Sequence, residues 1–148
     1  MGGYFPDAKR DNHGTPEKLF ADLHHEFRFT VDLAAEDGNA LLKRYYTKEN
    51  DSLVKDWRGE NGYCNPPYDT KSITAFVKKA HETWSESPGV GVFLLPAKTD
   101  QKWWHDYVWQ KERVEVRFLR GRLKFKGEKN GATFASCVVV FYGKRNDI

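Results

Sequence analysis

With 148 residues, 39% of them hydrophobic and 30% charged, the chain is long enough for one domain with a packed core and leaves little room for a second. Aromatic residues reach 15%, which an aromatic-rich core accounts for and base stacking also permits, while a net charge of +3 suits a polyanionic partner without establishing one. The two cysteines, Cys64 and Cys137, lack metal-ligand or disulfide spacing and fit a reduced cytoplasmic protein; the longest apolar runs, 90–96 and 137–142, fall far below the ~20 residues of a membrane span, and no secretory leader opens the chain.

In chain order, residues 1–12 are polar and read as an N-terminal arm, leaving 13–148 as a single domain. Thr15-Pro16-Glu17 reads as a helix opening, with Thr as N-cap, Pro at the first helical position and an acid in the first turn. Leu19, Phe20, Leu23 and Phe27 recur at helical spacing, and the helix is expected to end near His25. Alternation of Phe29, Val31 and Leu33 predicts a strand over 28–33, ending at Asp32-Leu33. A turn over 34–38, a helix over 39–46, room for a short strand in 51–57 and a turn over 59–62 follow. Tyr63-Cys64 closes a brief strand that runs straight into Asn65-Pro66-Pro67-Tyr68. A helix over 72–84 carries Ile73, Phe76, Val77 and Ala80 on one face, and after a loop over 85–89 the apolar run 90–95 suits a parallel strand covered on both sides. A helix over 100–109 and strands over 114–119, 121–125 and 132–142 complete the chain.

Strands alternating with helices, then a strand-rich tail, predict an α/β sandwich around a mostly parallel sheet whose post-strand loops share one edge. Asp32, Asn65 and Pro96 all fall at strand ends, which gathers scattered motifs into one candidate site.

Asn65-Pro66-Pro67-Tyr68 carries the chemistry. An exocyclic amine such as adenine N6 delocalises its lone pair into the ring; Asn65 Oδ1 and the Pro66 carbonyl can each accept one of its hydrogens and favour the pyramidal, nucleophilic form. Consecutive prolines fix φ and donate no N–H, so that carbonyl is rigid, and Tyr68 offers a ring face to a flipped base. Such bonds strengthen as positive charge develops on nitrogen, so they act on the transition state; neither a metal nor a strong general base is required when a sulfonium cofactor, S-adenosylmethionine, presents its methyl in line.

The order His13-Gly14-Thr15-Pro16-Glu17, Val31-Asp32-Leu33-Ala34-Ala35, Asn50-Asp51-Ser52-Leu53, Tyr63-Cys64-Asn65-Pro66-Pro67-Tyr68, then 95–100 with Trp103-Trp104-His105 and 121–125, resembles the phage-type DNA N6-adenine methyltransferases over roughly residues 10–142. The resemblance implies a class I methyltransferase-like (Rossmann-like) three-layer sandwich, with a seven-stranded sheet whose last strand is antiparallel. It further implies that Thr15 and Pro16 line the cofactor pocket, that Asp32 approaches the methionine or ribose part, that Asp51 lies near the cofactor's adenine, and that Asn65 to Tyr68 hold the target base. Two departures stand out. No glycine-rich turn follows the first strand, where Ala34 and Ala35 are the small residues available for close approach. The stretch from Asp32 to Asn65 is short for two strands and two helices, which predicts a minimal version with shortened strands or a lost helix.

Arg113, Arg117, Arg120, Arg122, Lys124, Lys126 and Lys129 crowd one stretch, and on an extended chain Arg120, Arg122, Lys124 and Lys126 share a face suited to phosphates. Lys98 lies just beyond a strand end at the expected site edge, as a further DNA contact. With no room for a separate recognition domain, the chain is expected to act as a monomer or a homodimer. His24-His25 lack metal-ligand spacing, and Trp103-Trp104 read as a packing anchor. The same motif also serves enzymes that methylate RNA bases or glutamine side chains, and a catalytically silent nucleic-acid-binding module would keep the fold; these are the alternative readings.

Overall fold

The computed structural model describes residues 14–36, 38–47 and 52–145; the expected arm over 1–12 and the candidate residue Asp51 lie outside them. The described chain builds one six-stranded sheet from β1 (Val31–Ala35), β2 (Tyr45–Thr47), β3 (Asn61–Cys64), β4 (Val90–Pro96), β5 (Val114–Phe118) and β6 (Ser136–Tyr142), with helices α1 (Glu17–Phe27) and α2 (Thr70–Glu86). The strand order is β2-β1-β3-β4-β6-β5. β2, β1, β3 and β4 run parallel, whereas β6 is antiparallel to both its neighbours. The sheet is therefore mixed, with an antiparallel last strand as expected and six strands among the described residues rather than seven.

The period-two pleat decides which residues meet which helix. Along β4, Phe93 and Leu95 join one core cluster with Ile73, Phe76, Val77, Ala80 and Trp84 of α2, while Val90, Val92 and Leu94 join another with Leu23 of α1, Phe29 and Phe125. Every residue of β4 is buried, which is what a strand in the middle of a covered sheet requires. Gly91 makes the fit under α2 possible: a Cβ there would come within 2.2 Å of the Trp84 ring.

Several boundaries differ from the sequence expectation for identifiable reasons. α1 begins at Glu17 with Pro16, not Thr15, in the cap position and no side-chain cap bond, because the Thr15 hydroxyl is engaged elsewhere; it runs on to Phe27, where Arg28 turns into the left-handed region at φ 54° and closes the helix through its N–H to the His24 carbonyl at 2.8 Å. β1 consequently starts at Val31 rather than 28 and includes Ala34 and Ala35, which were expected in a turn. No helix forms over 39–46. The Leu41 N–H donates to Asp32 Oδ2 at 3.1 Å and Asn39 Oδ1 accepts from the Glu36 N–H at 2.9 Å, local bonds that replace a helical ladder, and the segment then enters β2.

In place of a strand within 51–57, Ser52–Val54 forms a 3₁₀ turn. β3 already begins at Asn61. α2 starts two residues earlier than its apolar face suggests, because Asp69 Oδ1 caps the Ser72 N–H at 2.9 Å. The expected helix over 100–109 is present but shorter, two α-helical residues at 102–103 running into a π-helix, Trp104–Val108, closed by the Trp109 N–H to the Trp104 carbonyl at 2.7 Å. The wider turn accompanies two adjacent indoles that are both buried, Trp103 and Trp104 at 69° to one another. Residues 121–125 form no strand, and Gly121 lies in the left-handed region at φ 75°; the chain meets Gly14 through an isolated antiparallel bridge at Lys126. β6 itself starts only at Ser136.

Candidate active site

In an open α/β sheet, ligands settle outside the carboxyl ends of the strands where the chain reverses its direction of winding. Here the chain leaves β1, adds β2 on one side and returns to add β3 on the other, so the switch lies between β1 and β3. A cavity of about 290 Å³ opens there, lined by Ala34 and Ala35 of β1, Gly38 to Leu41 of the following loop, Asp32, Tyr63, Asn65, Gly14, Thr15 and Lys126. Four of the candidate residues, Thr15, Asp32, Ala34 and Asn65, thus meet in one lining. Pro16 is absent from it and caps α1 instead.

Asp32 sits second in β1 rather than at a strand end, and it is buried. Its carboxylate accepts the Ala34 N–H at 3.2 Å and the Leu41 N–H at 3.1 Å. Its visible work is to pin the 38–41 loop, one wall of the cavity, to the sheet. The small residues Ala34, Ala35, Gly38 and Ala40 leave that wall thin, so a ligand can come close to backbone although no glycine-rich turn is present.

Asn65 is the first residue after β3. Its carboxamide is gripped from both ends: Tyr68 Oη donates to Asn65 Oδ1 at 2.6 Å, and Asn65 Nδ2 donates to Thr15 Oγ1 at a longer 3.4 Å. The Tyr68 hydroxyl also reaches the Leu94 carbonyl at 3.0 Å, and Thr15 Oγ1 lies 2.7 Å from Tyr63 Oη. Tyrosines of β3 and of the turn after it therefore orient the asparagine through a chain of bonds. Burial pushes both phenols above their ordinary range, so both stay protonated. A carboxamide oxygen carries two lone pairs, so the bond from Tyr68 does not by itself exhaust it. Pro66 is buried and Pro67 half-buried, which holds the turn against the sheet.

The Tyr68 ring meets Phe125 and Phe134 edge-on, at 6.1 and 5.7 Å between centroids. Those two phenylalanines line a second cavity of about 150 Å³ together with Glu128, Asn130, Gly131, Ala132 and Thr133. Sequence reasoning did not find this cavity, since its residues lie some sixty positions beyond the motif and only the long β5–β6 connection brings them back. The available signal was Phe125 and Phe134 in an otherwise polar stretch. Lys126, grouped by sequence with the phosphate-facing residues, was likewise missed as a lining residue of the first cavity.

Arg120, Arg122 and Lys124 are exposed, while Leu123 and Phe125 pack inward. They leave the sheet after β5, and β5 ends beside the start of β6, which pairs with Pro96. Lys98, also exposed, follows Pro96 at that same edge. Arg117 does not join them: its guanidinium grips Glu26 at 2.7 and 2.8 Å and reaches Glu115 at 3.2 Å. His24 stacks on Phe20 and Phe29 and accepts the Phe29 N–H at 3.0 Å through Nδ1, a packing role. Cys64 and Cys137 are buried thiols, and burial raises Cys137 to about 12. Among the described residues no helix is long and apolar enough to cross a membrane.

A family model described as DNA N-6-adenine-methyltransferase (Dam) matches residues 2–145. A DNA N-6-adenine-methyltransferase of Escherichia phage T1 is 36% identical over 101 residues, 66% of this chain and 41% of that protein, so the match spans less than half the length of that relative. A DNA N-6-adenine-methyltransferase of Haemophilus phage HP1 is 27% identical over 126 residues, 84% of this chain and 71% of its own length. No solved structure matches the chain.

Proposed function

The chain belongs to the DNA N-6-adenine-methyltransferase (Dam) family, and from that premise we propose that it transfers a methyl group from S-adenosylmethionine to N6 of adenine in DNA, on a minimal class I methyltransferase-like fold spanning 13–148. The observation that carries this reading is the placement of Asn65. It lines the switch-point cavity while its carboxamide is held by Tyr68 and Thr15.

The residues present fit the cofactor. The cavity is near the lower end of the roughly 300–1,000 Å³ typical of small-molecule sites, its wall is thin along 34–40, and its lining mixes small, polar and charged groups. Thr15, Asp32 and Ala34 are the residues assigned to it, Asp32 chiefly by fixing the loop that forms the wall; Pro16 and Asp51 remain assigned by resemblance alone. When bound, S-adenosylmethionine supplies an electrophilic methyl on a sulfonium sulfur.

The second cavity, lined by Phe125 and Phe134, whose rings pack edge-on against Tyr68, is the place for the flipped adenine. Asn65 Oδ1 and the Pro66 carbonyl accept the N6 hydrogens and direct the nitrogen lone pair at the methyl. On accepting the methyl, N6 would become cationic and acidic and would release its surplus proton to water. Arg120, Arg122, Lys124 and Lys98 hold phosphates around the site. Two buried thiols accord with a cytoplasmic setting, in a phage-infected or bacterial cell.

The test is nucleoside mass spectrometry of DNA incubated with protein and cofactor. N6-methyladenine is expected, and Asn65→Ala is expected to abolish it while retaining cofactor binding by calorimetry. Methyl label on RNA or protein but not on DNA, or unchanged turnover in Asn65→Ala, refutes the proposal.

A further inference from the structure

Lys126 is left without a task by the reading above. Lys126 is exposed like Arg120, Arg122 and Lys124, but unlike them it also lines the switch-point cavity. Its backbone is fixed there by an N–H bond to the Gly14 carbonyl at 2.8 Å. Gly14 permits the approach, since a Cβ at that position would lie 2.9 Å from the Lys126 Cβ.

Among the described lining residues the charged side chains are Lys126 and Asp32, and the Asp32 carboxylate already holds two backbone N–H groups. A lysine in this lining faces a ligand that bears two positive groups, a sulfonium and an α-amino group, and one negative group, a carboxylate. Coulomb repulsion makes the lysine unfavourable near the first two. Of the ligand's charged groups, the carboxylate is the one that suits it.

We propose that Lys126 anchors the carboxylate of the cofactor's amino-acid end, and so sets which way the cofactor lies in the cavity; the proposal rests on the S-adenosylmethionine reading. The present partner of Lys126 does not compete strongly. Glu17 Oε1 is 3.6 Å from the ammonium, and the two side chains are 81% and 56% exposed, so the pair is weak and exchangeable. The adenosine end then lies away from Lys126, and the run 120–126 divides its labour, three cations serving phosphates and the fourth serving the cofactor.

Calorimetry with two ligands on the purified full chain tests this. S-adenosylhomocysteine keeps the carboxylate; methylthioadenosine lacks the whole amino-acid end. Lys126→Met is expected to weaken the first by about tenfold, the scale of one charge-assisted hydrogen bond, and to leave the second within about twofold. Lys126→Arg should restore most of the loss, and thermal melts confirm that both variants fold. Equal loss for both ligands, or loss for neither, overturns the proposal. A reduced salt slope of DNA binding with unchanged ligand affinities also overturns it, by assigning Lys126 to phosphate. A wild-type protein that binds neither ligand strikes the cofactor reading itself, and this proposal with it.

Discussion

Removing one hydroxyl, by Tyr68→Phe, separates an asparagine that is held from one that is merely present. The Tyr68 hydroxyl has a single proton to share between Asn65 Oδ1 at 2.6 Å and the Leu94 carbonyl at 3.0 Å. Phenylalanine fills the same ring volume and keeps the edge contacts to Phe125 and Phe134, so packing is conserved and only the donor disappears. Removing the donor from a part-buried bond costs about 1–3 kcal/mol at most. One shared proton puts the expected loss toward the lower part of that range, about 1–2 kcal/mol, which for a domain of this size lowers Tm by roughly 3–6 °C. The catalytic consequence is distinct. Asn65 retains the long 3.4 Å bond to Thr15, but its oxygen loses the short bond that aims it. Misplacement by an ångström can cost about a hundredfold in rate; a side chain still in its rigid turn should lose about tenfold in kcat, with cofactor affinity within about twofold. Thermal unfolding gives the first quantity, and single-turnover transfer of labelled methyl to duplex DNA gives the second. A lowered Tm with normal kcat would refute the positioning role; no change in either would refute the network.

Two further outcomes follow from charge. Replacing Arg120 and Arg122 by alanine should weaken DNA binding and make the slope of log K against log salt shallower by about 2, since each phosphate contact contributes about 0.9 on B-form DNA; fluorescence anisotropy at several salt concentrations measures it, and an unaltered slope means these arginines do not meet phosphates. The Arg117 cluster governs acid stability instead. Its guanidinium, first through hydrogen bonding, holds Glu26 below the usual glutamate range, and Glu115 is lowered by the Tyr142 hydroxyl and then by Arg117. Groups depressed in the folded state stabilise it above their unfolded pKa, and that contribution is lost as pH falls through the folded values. Arg117→Gln should therefore destabilise by about 1 kcal/mol at pH 7, screened because these side chains are 31–46% exposed, and by much less at pH 3. Equal destabilisation at both pH values in denaturant titrations would show that packing over Phe27, not charge, is what Arg117 contributes.

The two strongest strands, the long amphipathic helix and the Asn-Pro-Pro-Tyr turn were legible because each is a local matter. Val90 to Pro96 announces a doubly covered strand by composition alone, and the spacing of Ile73, Phe76, Val77 and Ala80 allows only a helix with one buried face. Where local preference was weak, a remote or side-chain bond took over. The 39–46 segment reads as a helix in sequence, but the Asp32 carboxylate claims the Leu41 N–H and its first residues become a cavity wall. Thr15 has the credentials of an N-cap, yet its hydroxyl lies against Tyr63, 48 positions away, and helps orient Asn65.

The motif was therefore legible in the chain order: an amide, two prolines and a tyrosine after a strand mark a rigid turn at the end of β3. Only the folded sheet could bring Gly14, Lys126, Phe125 and Phe134 to that turn, because contacts across fifty or more residues depend on which strands pair and leave no periodic trace in the sequence.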